Sequence, residues 1–180
     1  EAYAITTGLE FRRVLFRSAR ILAMQWQDSL AARKFRGALD TLDDQLEELE
    51  EFGEDGSGAR RVRLEEQIDS VLTELVTAAL RAYDDRSLLF IQEKWGPPQE
   101  FLGRRLESLA DSHSRSSRQI CEVRFAQGLL LTYFRKWEEA YPHWVELFRD
   151  ALNNKKYLGP DHPLTLRIQH ELAYCLVRVD

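Results

Sequence analysis

Four histidines, two cysteines and a run of carboxylates are the residues of this 180-residue chain whose types could support chemistry. His170-Glu171 opens like the His-Glu-x-x-His pattern, in which two imidazoles one helical turn apart hold zinc and the glutamate acts as base. Position 174 is Tyr174, so the second ligand is missing. His113, His143 and His162 are scattered. His162 and its neighbour Asp161 precede a helix start at Pro163, where either side chain would serve as a cap. Cys121 and Cys175 lie in apolar helical stretches, where a thiol behaves as a small hydrophobe. Gly53-Glu54-Asp55-Gly56-Ser57-Gly58 lacks the Gly-Lys-Ser/Thr that would make it a phosphate loop. The carboxylates Asp40, Asp43, Asp44, Glu47, Glu48, Glu50 and Glu51 could attract calcium or a basic partner, but along one helix they read as a solvated face. No catalytic residue, metal ligand or cofactor is expected, and the chain is not read as an enzyme.

Composition narrows the classes further. Hydrophobic residues make up 44% and charged residues 31%, an ordinary balance for a folded chain. A net charge of −5 gives no electrostatic footprint for nucleic acid or an anionic membrane. No apolar run approaches the roughly 20 residues of a membrane span. Two cysteines do not make a disulfide framework, so a reducing, cytoplasmic setting is the expectation. With only 9 glycines and 5 prolines, long uninterrupted stretches favour helices over many short strands. The expected fold class is all-α, built from antiparallel helical hairpins.

The elements that would position these residues can be read from apolar spacing. A first helix is expected over 19–34, a break at Arg36-Gly37, and a second helix over 38–52. In the second, Phe35, Leu39, Leu42, Leu46 and Leu49 form a narrow seam at alternating steps of four and three. The stretch 53–59 reads as a glycine-rich linker. A long helix over 60–84 follows, with Leu64, Ile68, Val71, Leu72, Leu75, Ala79, Leu80 and Tyr83 on one side. It should form a hairpin with the helix before it, Arg60, Arg61 and Arg63 meeting the acidic end of that helix. The region 60–117 continues with helices over 87–95 and 99–111, separated by Gly96-Pro97-Pro98. Helices over 118–134 and 137–154 come next, the first apolar around much of its circumference. Pro142 is placed near the first turn of the second, where proline is tolerated. Pro163 opens the last helix, with Leu164, Ile168, Leu172, Cys175 and Leu176 inward.

Residues 1–18 stand apart. Glu10-Phe11-Arg12-Arg13-Val14-Leu15-Phe16-Arg17-Ser18 is what one frame of a widely used short-read sequencing adapter encodes, so this stretch is expected to be non-native. Its alternation of arginine with apolar residues also resembles a targeting presequence, a much looser pattern.

Leu158-Gly159-Pro160-Asp161-His162-Pro163-Leu164-Thr165-Leu166, followed by Leu172-Ala173, resembles the connector of tetratricopeptide repeats (TPRs) of the kinesin-light-chain type. Their usual form is Leu-Gly-x-x-His-Pro-x-Thr-Leu and then Leu-Ala. Phe134-Arg135-Lys136-Trp137-Glu138-Glu139-Ala140 resembles the family's Gln-Gly-Arg-Tyr-Glu-Glu-Ala turn. Gly128 stands at the small position where the two helices of a repeat approach, and Trp144 at the bulky position one turn beyond Ala140. On this resemblance, 118–180 is one repeat plus the first helix of the next, and 19–52 a degenerate earlier repeat. The spacing from Gly128 to Ala173 is 45 residues, against about 42 in this class of repeat. The paired asparagines that usually precede Leu-Ala are His170-Glu171 here.

The resemblance implies a non-catalytic scaffold that binds protein or peptide on the concave face of a solenoid, truncated from a larger protein. Glu122, Phe125, Leu129, Thr132 and Tyr133 would face that groove from one first helix. Arg167, His170, Tyr174 and Arg178 would face it from the next, the two arginines favouring acidic groups. Two other readings are carried with it. Residues 19–117 could be the regulatory helical part of an enzyme or signalling ATPase, or the leucine seam could drive oligomerisation.

Overall fold

A computed structural model describes residues 27–52, 57–112, 117–154, 156 and 158–179. The expected artefact at 1–18, the start of the first expected helix and the centre of the glycine-rich linker lie outside the described residues. Among those described, all regular structure is helical: α1 (Asp28–Phe52), α2 (Ser57–Ala82), α3 (Asp85–Trp95), α4 (Pro98–Ser112), α5 (Arg118–Tyr133), α6 (Trp137–Asn153) and α7 (Pro163–Val179). The chain divides into two compact units, one ending at Ile91 and the other beginning at Gln92. The helix over 98–112, which the sequence grouped with the preceding region, therefore belongs with α5–α7.

In the first unit α1 and α2 pack along each other. They run antiparallel: Arg81, at the end of α2, holds Asp28, at the start of α1, at 3.1 Å. Phe35, Leu39 and Leu42 of the seam are buried, as are Leu64, Ile68, Val71, Leu72, Leu75, Ala79 and Leu80 opposite. Asp40, Asp44, Glu47 and Glu48 are exposed, the solvated face that the pattern implied. Arg61 pairs with Glu65 of its own helix at 2.9 Å, and the Arg81–Asp28 pair joins the two helices at the other end of the hairpin.

Three expectations for this unit are corrected. The break at Arg36-Gly37 does not occur, because α1 runs straight through Gly37. A glycine inside a helix costs only about 1 kcal/mol relative to alanine, less than the apolar seam on either side contributes. Helix α2 begins at Ser57 and so takes in the end of the expected linker. Tyr83 is not on the buried side but 67% exposed. It follows the last residue of α2 with φ +51°, and this left-handed turn points it away. Asp84 then caps α3, accepting the Ser87 hydroxyl at 2.6 Å and the Ser87 N–H at 3.3 Å. Burial alone would raise the Asp84 carboxyl; the Ser87 bonds and the Arg36 charge outweigh it and hold the pKa below the usual value.

In the second unit α4 packs on α5, α5 on α6, α6 on α7, and α5 also touches α7. Gly96, with φ +85°, turns the chain between α3 and α4. Pro142 falls in the second turn of α6 rather than the first. It cannot donate to the Glu138 carbonyl, but both residues are exposed, so water can take that bond.

Candidate protein-binding face

The geometry of α5, α6 and α7 begins at one close approach. A Cβ placed on Gly128 would lie 2.6 Å from the Trp144 ring. The glycine leaves room for the indole beside the α5 backbone, and Trp144 is fully buried there. Its Nε1–H donates to the Thr132 hydroxyl at 3.2 Å, and its ring meets Phe125 edge-on, centroids 5.4 Å apart. Ala140, Trp144, Leu147 and Ala151 form the buried stripe of α6, at the four–three–four spacing of one helix face.

A polar lock lies beside this apolar seam. Arg124 is buried and reaches two carboxylates one turn apart on α6, Asp150 at 2.5 Å and Glu146 at 3.1 Å. The Arg124 carbonyl accepts the His143 ring Nε2–H at 2.7 Å. Burial lowers the His143 pKa; the hydrogen bond to the Arg124 backbone opposes this and the Arg124 charge reinforces it. None of these roles was assigned from the sequence. The available signal was the position of Arg124 among Cys121, Phe125 and Gly128, on a helix apolar nearly all round, with acids four residues apart on the next helix.

The α5–α6 turn is closed by Arg135 at φ +57°, with the Lys136 N–H donating to the Leu131 carbonyl at 2.9 Å. The α6–α7 connector is closed by Gly159 at φ +97°, whose N–H reaches the Ala151 carbonyl at 3.2 Å. Of the two candidate caps for α7, His162 does the work: its ring Nδ1 accepts the Leu164 N–H at 3.1 Å. Ile168 and Cys175 face inward as expected, whereas Leu176 is 46% exposed and Ala173 is exposed as well. The inward stripe of α7 is set by Thr165, Ile168 and Cys175, and Leu166, Ala173 and Val177 fall on the opposite side.

The expected groove residues are not all available to a ligand. Phe125, Leu129 and Thr132 are buried, Phe125 and Thr132 against Trp144, so they belong to the core. Glu122 and Tyr133 are half-buried, Glu122 bound by Arg118 at 2.8 Å and Tyr133 edge-on to Phe134. Arg167 is half-buried and His170 exposed, the latter 3.4 Å from Glu171. Tyr174 and Arg178 are brought together, the guanidinium 5.3 Å from the ring centroid. Trp137 also meets Tyr174 edge-on, centroids 6.0 Å apart, a contact that the sequence does not signal.

The two thiols of this region are shielded from chemistry near neutral pH. Burial pushes the Cys121 thiol up to about 11 and raises Cys175 as well, so both are protonated and weakly nucleophilic near neutral pH. The Cys175 thiol donates weakly to the Trp137 carbonyl at 3.8 Å. Among the described residues no group of three or more His, Cys, Asp or Glu is placed to hold a metal ion, and no helix is long and apolar enough to cross a membrane. No family model matches the chain, and no curated protein or solved structure matches it either.

Proposed function

We propose that residues 118–180 act as a TPR-like scaffold unit that binds a protein or peptide segment bearing acidic groups, without catalysis of their own. The observation that carries this reading is the Gly128–Trp144 approach, with α7 folding back against both α5 and α6. Successive stacking of this kind builds a solenoid, in which each helix contacts its neighbours. Arg135 adds support. It stands where the resembling turn has glycine, and it adopts the left-handed backbone that glycine would adopt.

The binding face in this reading is the outward side of α7 with the adjoining start of α6. Arg178, stacked on Tyr174, supplies a cation for a carboxylate, and Tyr174 and Trp137 supply aromatic surface. Phe35, Leu39 and Leu42 are already covered within the first hairpin, which leaves less of the leucine seam for oligomerisation. The regulatory reading has no observation of its own to favour it.

A peptide array of acidic and charge-reversed sequences, probed with the full chain, tests the proposal. Acidic peptides are expected to bind in the micromolar range and to lose at least tenfold when Arg167 and Arg178 are both changed to Glu. No binding, or binding untouched by the double change, rejects it.

A further inference from the structure

All four histidines of the chain lie after Ile91, and one of them holds the end of a helix. His162 immediately precedes Pro163, the first residue of α7. Its carbonyl accepts the Leu166 N–H at 3.1 Å while its ring Nδ1 accepts the Leu164 N–H. The first turn of any helix presents N–H groups with no helical acceptor. Pro163 has none to present, so Leu164 is the first residue that needs one.

An imidazole accepts at Nδ1 only when it is neutral with its proton on Nε2; the imidazolium has two donors and no acceptor. Protonation therefore sets two N–H groups against each other, and it adds positive charge at the positive end of the helix dipole. Carboxylate caps and amide caps do not share this sensitivity near neutral pH.

The surrounding charges give the imidazolium little shelter. From α5, Arg118 disfavours it and Glu122 favours it, and burial disfavours it most. Glu122 is already bound by Arg118. The last carboxylate of α6, Asp150, is engaged by Arg124. Within its own loop and helix the ring has exposed Asp161 just before it and half-buried Arg167 one turn on, of opposite sign.

We propose that His162 is an acid-released latch: the neutral ring fastens the first turn of α7, and protonation frees it, while the unit ending at Ile91 does not respond. The inference stands on the capping geometry and does not depend on what α7 binds.

Amide hydrogen exchange resolved by residue, on the full chain at pH 7.5 and pH 5.5 and corrected for intrinsic rates, tests it. Protection at Leu164–Arg167 is expected to fall roughly fivefold on acidification, the loss that removal of a cap implies. His162→Asn caps in the same place without titrating, so Leu164–Arg167 should lose no more protection on acidification than the rest of α7 does. His143→Gln should respond as the parent does. An unchanged parent, a first-turn response in His162→Asn that still exceeds that of the rest of α7, or a first-turn response lost in His143→Gln would each overturn the proposal.

Discussion

Three glycines stand well inside the described helices, Gly37, Gly103 and Gly128, and the first and last have opposite meanings. Gly37 in α1 has nothing within 4 Å of where a Cβ would sit, whereas Gly128 in α5 would drive one into the Trp144 ring. The first is a local concession in a hairpin held by an extended aliphatic seam. The second is the contact around which its unit is arranged. A seam of leucines specifies that two helices pair but only loosely at which register; a single indole seated on a single glycine admits one register. The first unit relies on length, and the second on fit.

The largest effect that would break this contrast lies in the polar lock. Arg124→Met takes the buried guanidinium away from Asp150 and Glu146 beside a buried seam, and should destabilise the second unit by about 3 kcal/mol. Guanidinium chloride unfolding followed by tryptophan fluorescence would measure it. A loss below about 1 kcal/mol would mean that the two carboxylates are solvated and that fit alone holds α5 to α6.

The glycines themselves give the sharpest test. Gly128→Ala should cost about 1–3 kcal/mol through overpacking against Trp144, and pairing it with Trp144→Leu should recover part of that in a double-mutant cycle. Gly37→Ala should stabilise α1 by about 0.5–1 kcal/mol, because it restricts the unfolded chain at an unobstructed position. Equal signs for the two changes would remove the distinction between the units.

Relief of backbone strain is smaller in reach but equally local. Arg135→Gly should stabilise the α5–α6 turn by about 1 kcal/mol, since only glycine takes a left-handed backbone without steric cost. Thermal melting of the variant against the parent would show it.

Acid separates the units by window rather than by size. His143 and His162 are held below the ordinary imidazole value of 6.5, so the unfolded chain takes up protons first as pH falls. The second unit therefore loses stability as pH drops below about 6.5, and the loss is complete only below the folded values. The corresponding group in the first unit is Asp84, whose lowered carboxyl contributes stability above the ordinary carboxylate value. That contribution disappears only as pH falls through its folded value, below about 4. Unfolding curves at pH 7.5, 6.0 and 5.0 should thus move for the second unit alone.

Much of this architecture was legible in the residues. The bounds of α5, α6 and α7 follow from their apolar spacing, and the close approach of helices at Gly128 from the turn that resembles a TPR, though not that Trp144 is the side chain seated there. What was not legible depended on competition between terms. Gly37 reads as a breaker until the surrounding seam is weighed against its cost of about 1 kcal/mol. Arg124 gives no signal of its own until two acids on another helix are seen to meet it. Phe125 reads as a groove residue because the resemblance puts it on the groove side of a first helix, and does not say whether a ligand or an indole meets it there. Tyr83 reads as buried, yet it lies just past a helix end, where direction is set by the turn and no longer by the helix.

The two sealed thiols carry one more consequence. Cys121 sits on the α5 face that meets α6, and Cys175 where α7 meets the start of α6; both are fully buried. Each can react with an alkylating reagent only in molecules whose own seam has opened. The chain thus carries one chemical clock on each of two adjacent seams, and the ratio of their labelling rates reads out which helix leaves first.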